Sequence, residues 1–179
     1  VTMAEGVGSD TLQRGGASEE GLLLERLRLV EENPAGSYAV HVYLSALKQA
    51  NRKPHFIRIA ARSFDLLVHN NDAKLFQLDN CDLVLICRDA PVDDIDSVLS
   101  KVRTLFSEDP LMAAEEGSFE DRFAAWYDLS QSSDFTVFRS SVEHIAVEAA
   151  QRRRRQVAEQ GQAKKTMIGK ALNPANLGA

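Results

Sequence analysis

Two stretches of this sequence bring together side chains able to do chemistry. One is Arg152-Arg153-Arg154-Arg155, four guanidinium groups in succession. Such a run suits phosphate groups, nucleic acid or an acidic protein surface. The other is Asp79-Asn80-Cys81-Asp82, flanked by apolar residues, with Asp72 a little upstream. Its carboxylates are the hard oxygen ligands that magnesium requires. The other reactive residue types carry less. His41, His55, His69 and His144 lie in separate segments without a shared ligand spacing and read as half-exposed structural residues. Cys81 and Cys87 lack the C-x-x-C spacing of zinc and redox sites. Placed in one strand they stand about 20 Å apart, too far for a disulfide, so both are expected to be reduced thiols. There is no P-loop, dinucleotide glycine fingerprint, nucleophile elbow or His-Glu-x-x-His motif. The arginine run also has a plainer reading, which we favour. It is a solvated helix end, where the helix dipole favours cations. No aromatic residues interleave with it, and the net charge of −5 gives no global reason to bind nucleic acid.

Residues 76–86 read Phe-Gln-Leu-Asp-Asn-Cys-Asp-Leu-Val-Leu-Ile. This string resembles the central hairpin of the GGDEF, or diguanylate cyclase, family. There an aromatic, an arginine and an apolar residue precede Gly-Gly-Asp/Glu-Glu-Phe and an apolar strand. Residue by residue, Asp79 and Asn80 fall on the two glycines, Cys81 on the metal-binding acid, Asp82 on the glutamate and Leu83 on the phenylalanine. A second segment, Tyr43-Leu44-Ser45-Ala46-Leu47-Lys48-Gln49-Ala50-Asn51, is similar to the family's Asp-x-Asp-x-Phe-Lys-x-Ile-Asn. Leu47, Lys48 and Asn51 match, while Tyr43 and Ser45 replace the two aspartates. The order of elements from about residue 18 to 150 also resembles that fold.

The departures from the family pattern decide the chemistry that the resemblance implies. Cyclisation of GTP needs two magnesium ions held by hard oxygen ligands. Tyr43 is uncharged at neutral pH and Cys81 is a soft ligand, so both expected metal carboxylates are missing. Glycines in the turn let backbone approach phosphates closely. Asp79 places a negative charge there, repelling a triphosphate by about 1 to 4 kcal/mol at ~4 Å. The segment before the helix at 55–68 lacks the Gly-His-x-x-Gly-Asp that in the family helps bind guanine. The family's inhibitory Arg-x-x-Asp site falls near residues 69–72, where Asp72 has no arginine before it at the right spacing. An inactive domain is expected, with no catalytic residues, no metal and no cofactor.

These positions need elements to carry them. The chain has 179 residues, enough for one domain with a core of its own plus tails. Hydrophobic residues at 44% and charged residues at 26% match a soluble globular protein and exclude fibrous and wholly disordered classes. No run approaches the ~20 apolar residues of a membrane span. The first twenty residues lack a basic region followed by an apolar one, so no signal peptide is expected.

Residues 1–17, with four glycines, read as a disordered leader or tag remnant. Ser18 caps a helix carrying Leu23, Leu24, Leu27 and Val30, and Asn33-Pro34-Ala35-Gly36 ends it. Alternation over 38–44 predicts a strand with Tyr38, Val40, Val42 and Leu44 on one face and Ala39, His41 and Tyr43 on the other. Residues 48–53 are a polar connection. Pro54 opens a helix with Phe56, Ala60, Phe64 and Leu67 in a stripe, and 69–72 is a loop. Strands at 74–78 and 81–87 flank Asp79-Asn80 as a two-residue turn. Asp93 and Asp94 open an amphipathic helix with Ile95, Val98, Leu99, Val102, Leu105 and Phe106 on one side. Residues 107–118 are an irregular acidic insertion, and 123–129 a strand. Asp134 caps a final helix with Phe138, Val142, Ile145 and Ala149 buried, running to about Gln160. Residues 161–179 then read as a linker.

The expected fold is therefore α+β, a GGDEF-like sheet with flanking helices and a long C-terminal helix. The expected organisation is a degenerate domain over 18–150, with 151–179 a helical extension and linker to a following domain. The resemblance implies a regulatory domain of bacterial cyclic-di-GMP signalling in the cytoplasm. It would control or dock a protein partner or adjoining signalling domain, such as one of EAL type, and self-associate through its C-terminal helix. Neither nucleic acid nor a membrane span is expected. Tyr43, Ser45, Asp79, Asn80, Cys81 and Asp82 are the degenerate active-site positions, and Arg152, Arg153, Arg154 and Arg155 the candidate interaction surface. Two other readings stand beside this one. A divergent nucleotide-binding enzyme would bind magnesium-GTP through Asp72, Asp79 and Asp82. An α+β scaffold unrelated to nucleotides would dock partners through the helix face and the acidic insertion.

Overall fold

The computed structural model describes residues 17–116 and 118–171; the leader at 1–16 and the tail at 172–179 lie outside the described residues. Helix α1 (Glu19–Glu32) begins where the cap predicts, because the Ser18 hydroxyl accepts the Gly21 N–H at 3.0 Å. It buries Leu23, Leu27 and Val30. After Pro34 the chain reverses at Gly36, whose φ of +70° suits glycine and where a Cβ would collide with the Asp89 carboxylate.

The chain then forms strand β1 (Ser37–Val42), helices α2 (Pro54–Arg62) and α3 (Asp65–Asn70), strands β2 (Asp72–Gln77) and β3 (Leu83–Arg88), helix α4 (Val92–Leu105), strand β4 (Ala124–Asp128) and helix α5 (Ser132–Ala171). The architecture is α+β. Its four-stranded sheet has the order β2-β3-β1-β4, and every neighbouring pair is antiparallel. This is a β-α-β-β-α-β arrangement of two interleaved crossover units. It places β1 and β3 at the centre, with β1 ending beside the start of β3.

One sheet face meets α2, α3 and α4. Val40, Val42, Leu83, Leu85 and Cys87 cluster there with Ala60, Phe64, Leu67, Ile95, Leu99 and Val102. Side chains the size of Phe64 or Leu99 each contribute about 1.5–3 kcal/mol by leaving water. The other face carries Ala39, His41, Val84, Ile86 and Tyr127, all but Tyr127 buried. On this side α1 contacts β2, the Tyr127 and Phe138 rings pack at 4.9 Å, and Arg139 donates to Glu31 at 3.0 Å. The contacts divide the chain into two units, one ending at Glu143 and the other beginning at His144, so α5 contributes to both.

Several elements differ from the sequence expectation. The stripe from Phe56 to Leu67 is carried by two helices. The Ser63 hydroxyl donates to the Ile59 carbonyl at 2.9 Å, and such back-bonding bends or ends helices. Helix α3 runs on through His69 and Asn70, expected as loop; Asn71 closes it by donating Nδ2–H to the Leu67 carbonyl at 2.9 Å. Strand β1 stops at Val42, and the chain tightens into a 3-10 turn over Leu44–Ala46. Asp134 does not cap α5. The helix starts two residues earlier, and the Asp134 carboxylate accepts the Asp128 N–H at 3.0 Å. Nor does α5 stop near Gln160. Residues 161–171, expected as linker, are rich in Gln, Ala, Lys and Met, good helix formers that carry it to Ala171.

Candidate functional site

The hairpin loop between β2 and β3 is not a two-residue turn. The Cys81 N–H donates to the Leu78 carbonyl at 3.0 Å, and the Leu78 N–H to the Asp82 carbonyl at 2.9 Å. The loop is thus Asp79-Asn80-Cys81, a turn followed by a left-handed residue that forms a bulge. The positive φ falls on Cys81, at 72°, and not on Asp79 or Asn80. Cys81 therefore lies outside β3, while Cys87 lies within it, and both thiols are free.

The bulge turns Asp82 inward, leaving it 2% exposed. Its Oδ2 lies 2.8 Å from Nε2 of His41, which is 0% exposed on β1. Its Oδ1 accepts the Ser45 N–H at 2.8 Å. Asn80 donates Nδ2–H to Oδ2 at 3.3 Å, while the Asp82 N–H donates to Asn80 Oδ1 at 3.0 Å. An ionised carboxylate only accepts, and in that state it takes the hydrogen of His41 Nε2. His41 Nδ1 then has no hydrogen-bond partner.

The Tyr43 ring stacks on the His41 ring, centroids 4.0 Å apart, and its hydroxyl lies 3.4 Å from that of Tyr127. Burial first, then the Tyr127 bond and the Asp82 charge, push the Tyr43 hydroxyl far above the ordinary phenol range. Burial and the neighbouring Asp82 also push the Cys81 thiol up, against a smaller opposing pull from Arg52. Among the described residues, no group of three or more His, Cys, Asp or Glu side chains is arranged to hold a metal ion.

The loop backbone is engaged as well. Asp79 is exposed, but its N–H donates to Glu20 Oε2 at 2.8 Å. Glu20 is 1% exposed in the first turn of α1. A carboxylate of the chain itself thus takes an N–H that a phosphate could have used. The segment after β1 is similarly tied. Asp109, 4% exposed, accepts the Asn51 Nδ2–H at 2.7 Å, the Lys48 N–H at 2.9 Å and the Leu111 N–H at 2.9 Å. Burial alone would raise its carboxyl, but these hydrogen bonds outweigh that and hold it below the usual carboxylate range.

The structure thus brings Tyr43, Ser45, Asn80, Cys81 and Asp82 to one end of the β1–β3 pair, with Asp79 on the α1 side of the loop. Arg152, Arg153, Arg154 and Arg155 belong to the second unit. They lie within α5 and not at its end, with Arg152 and Arg153 half-buried and Arg154 and Arg155 exposed. Sequence reasoning missed His41, expected half-exposed, and the burial of Glu20. Alternation placed His41 on the Ala39 face but did not say that this face would be covered. Comparison of the chain with protein-family models, with curated proteins and with solved structures finds no match in any of the three. No helix among the described residues is long and apolar enough to cross a membrane.

Proposed function

We propose that this chain is a catalytically inactive, GGDEF-like regulatory domain of bacterial cyclic-di-GMP signalling. It acts in the cytoplasm by docking or controlling a protein partner or an adjoining domain of EAL type, and self-associates through α5. The observation that carries this reading is the closure around Asp82. Of the four positions aligned with the family's acids, Tyr43, Ser45, Cys81 and Asp82, only the last is a carboxylate. A cyclase must keep such oxygens open to metal and triphosphate. Asp82 instead takes three donors from its own chain and is 2% exposed. The backbone N–H of Asp79, at a turn position where the family's glycines approach phosphate, is engaged by Glu20, and the amide of Asn51 by Asp109. The β-α-β-β-α-β order supports the same reading. On this reading the domain acts through protein contact and not through a bound nucleotide.

The test is calorimetric titration of the full chain with magnesium-GTP and with cyclic-di-GMP, beside its mass in solution by light scattering. No heat with either ligand and a mass of two copies or more is expected. Magnesium-dependent GTP binding would overturn the reading in favour of a nucleotide enzyme or sensor.

A further inference from the structure

The sequence explains the arginine run by the dipole at a helix end, and the structure removes that explanation. The dipole's influence falls off within the last turn, whereas α5 continues from Arg155 to Ala171. Residues 154–169 are all exposed, so no packing against the described residues accounts for the cations there. Of the chain's 21 basic and 26 acidic residues, seven basic and two acidic lie at or after His144, leaving 14 and 24 before it. The second unit is a cation-rich helix on an otherwise acidic chain.

We propose that the exposed stretch of α5 over residues 154–165 binds the backbone of a nucleic-acid duplex. At about 100° per residue, Arg154, Arg155, Lys164 and Lys165 span about half the helix circumference, over about 17 Å of its length. The two acids at or after His144, Glu148 and Glu159, fall outside that arc. A flat acidic protein surface meets a stripe of about 100° and would leave some of these cations unused. A duplex groove has phosphates on both sides and reaches a wider arc. Gly161 lies within the arc with open space around it, which lets the helix backbone come close. A membrane surface fits less well. Val157 and Ile168, exposed by 69% and 51%, sit among the cations, and Met167, exposed by 73%, falls opposite them, so the large apolar residues do not gather on one face. Screening at physiological salt confines charge effects to about 8 Å, so the local cations decide over the acidic remainder.

The test is fluorescence anisotropy of a labelled 20-base-pair DNA duplex titrated with the full chain at 50 to 200 mM salt. Binding is expected at low salt, weakening with a log–log slope of about −3 to −4 for four phosphates. The combined substitution Arg154→Gln, Arg155→Gln, Lys164→Gln and Lys165→Gln should weaken it at least tenfold. Glutamine keeps helix propensity, and far-UV circular dichroism checks the fold. Absence of binding at 50 mM salt, or binding indifferent to the substitutions, would overturn the proposal. So would two results obtained without duplex binding: capture by vesicles containing phosphatidylserine, which would make the surface lipid-directed, or salt-sensitive self-association lost in the variant, which would make the occupant a second copy.

Discussion

His41 Nε2 and Asp82 Oδ2 lie 2.8 Å apart in the interior, joining the penultimate residue of β1 to the residue that follows the hairpin loop. Asp82 also holds the Ser45 N–H at 2.8 Å, so one carboxylate fixes both the loop and the turn after β1. Removing one partner of such a buried group leaves the other without compensation. Asp82→Ala is expected to cost about 3–5 kcal/mol, and Asp82→Asn, which keeps an acceptor, less. The double variant His41→Ala/Asp82→Ala should cost less than the sum of the singles, with a coupling of about 1–3 kcal/mol. Urea denaturation of the four proteins measures this, and simple additivity would mean that the contact contributes nothing of its own.

Asp109 offers a test by pH. Its carboxyl is held below the ordinary value of 3.8 in the folded chain. The stability it confers is therefore complete above that value and lost as pH falls through the lower folded one. At neutral pH, Asp109→Asn should cost about 1–3 kcal/mol, because three donors lose a charged acceptor. The gap between parent and variant should then narrow as the pH is lowered from 6 to 3. Urea midpoints across that range decide it, and a constant gap would show that Asp109 is not the group titrating.

These two carboxylates show how far the sequence could be read. The order of strands and helices was legible because apolar alternation and helical spacing reflect only which face is buried. The stripe of Leu23, Leu27 and Val30 and that of Ile95, Val98, Leu99 and Val102 are buried as their spacing implies. The hairpin was legible as two strands, and its loop was not. A left-handed cysteine has no local signature, since Asn and Asp tolerate that conformation better. His41 and Ser45 lie 41 and 37 residues from Asp82, and Lys48 and Asn51 lie 61 and 58 from Asp109, so only the completed fold brings them together. Glu20 reads as a first-turn acid favoured by the dipole. Its burial depends on where the loop at Asp79 comes to rest.

The strain at Cys81 leads to the last prediction. A left-handed conformation costs an L-residue other than glycine roughly 1–2 kcal/mol, and φ here is 72°. Glycine adopts it freely but is also looser in the unfolded chain, which takes back part of that gain. Cys81 is only half-buried with its thiol uncharged, so removing the side chain forfeits little packing. Cys81→Gly should therefore leave stability unchanged or raise it by about 1 kcal/mol, whereas Cys81→Val, β-branched at the same φ, should lower it by more than that. Asn80→Gly should destabilise, because it removes the Nδ2–H donated to Asp82 and the oxygen that accepts the Asp82 N–H. Thermal and urea unfolding of the three variants rank them, and a stabilising Asn80→Gly beside a destabilising Cys81→Gly would place the left-handed residue at the wrong position in the loop.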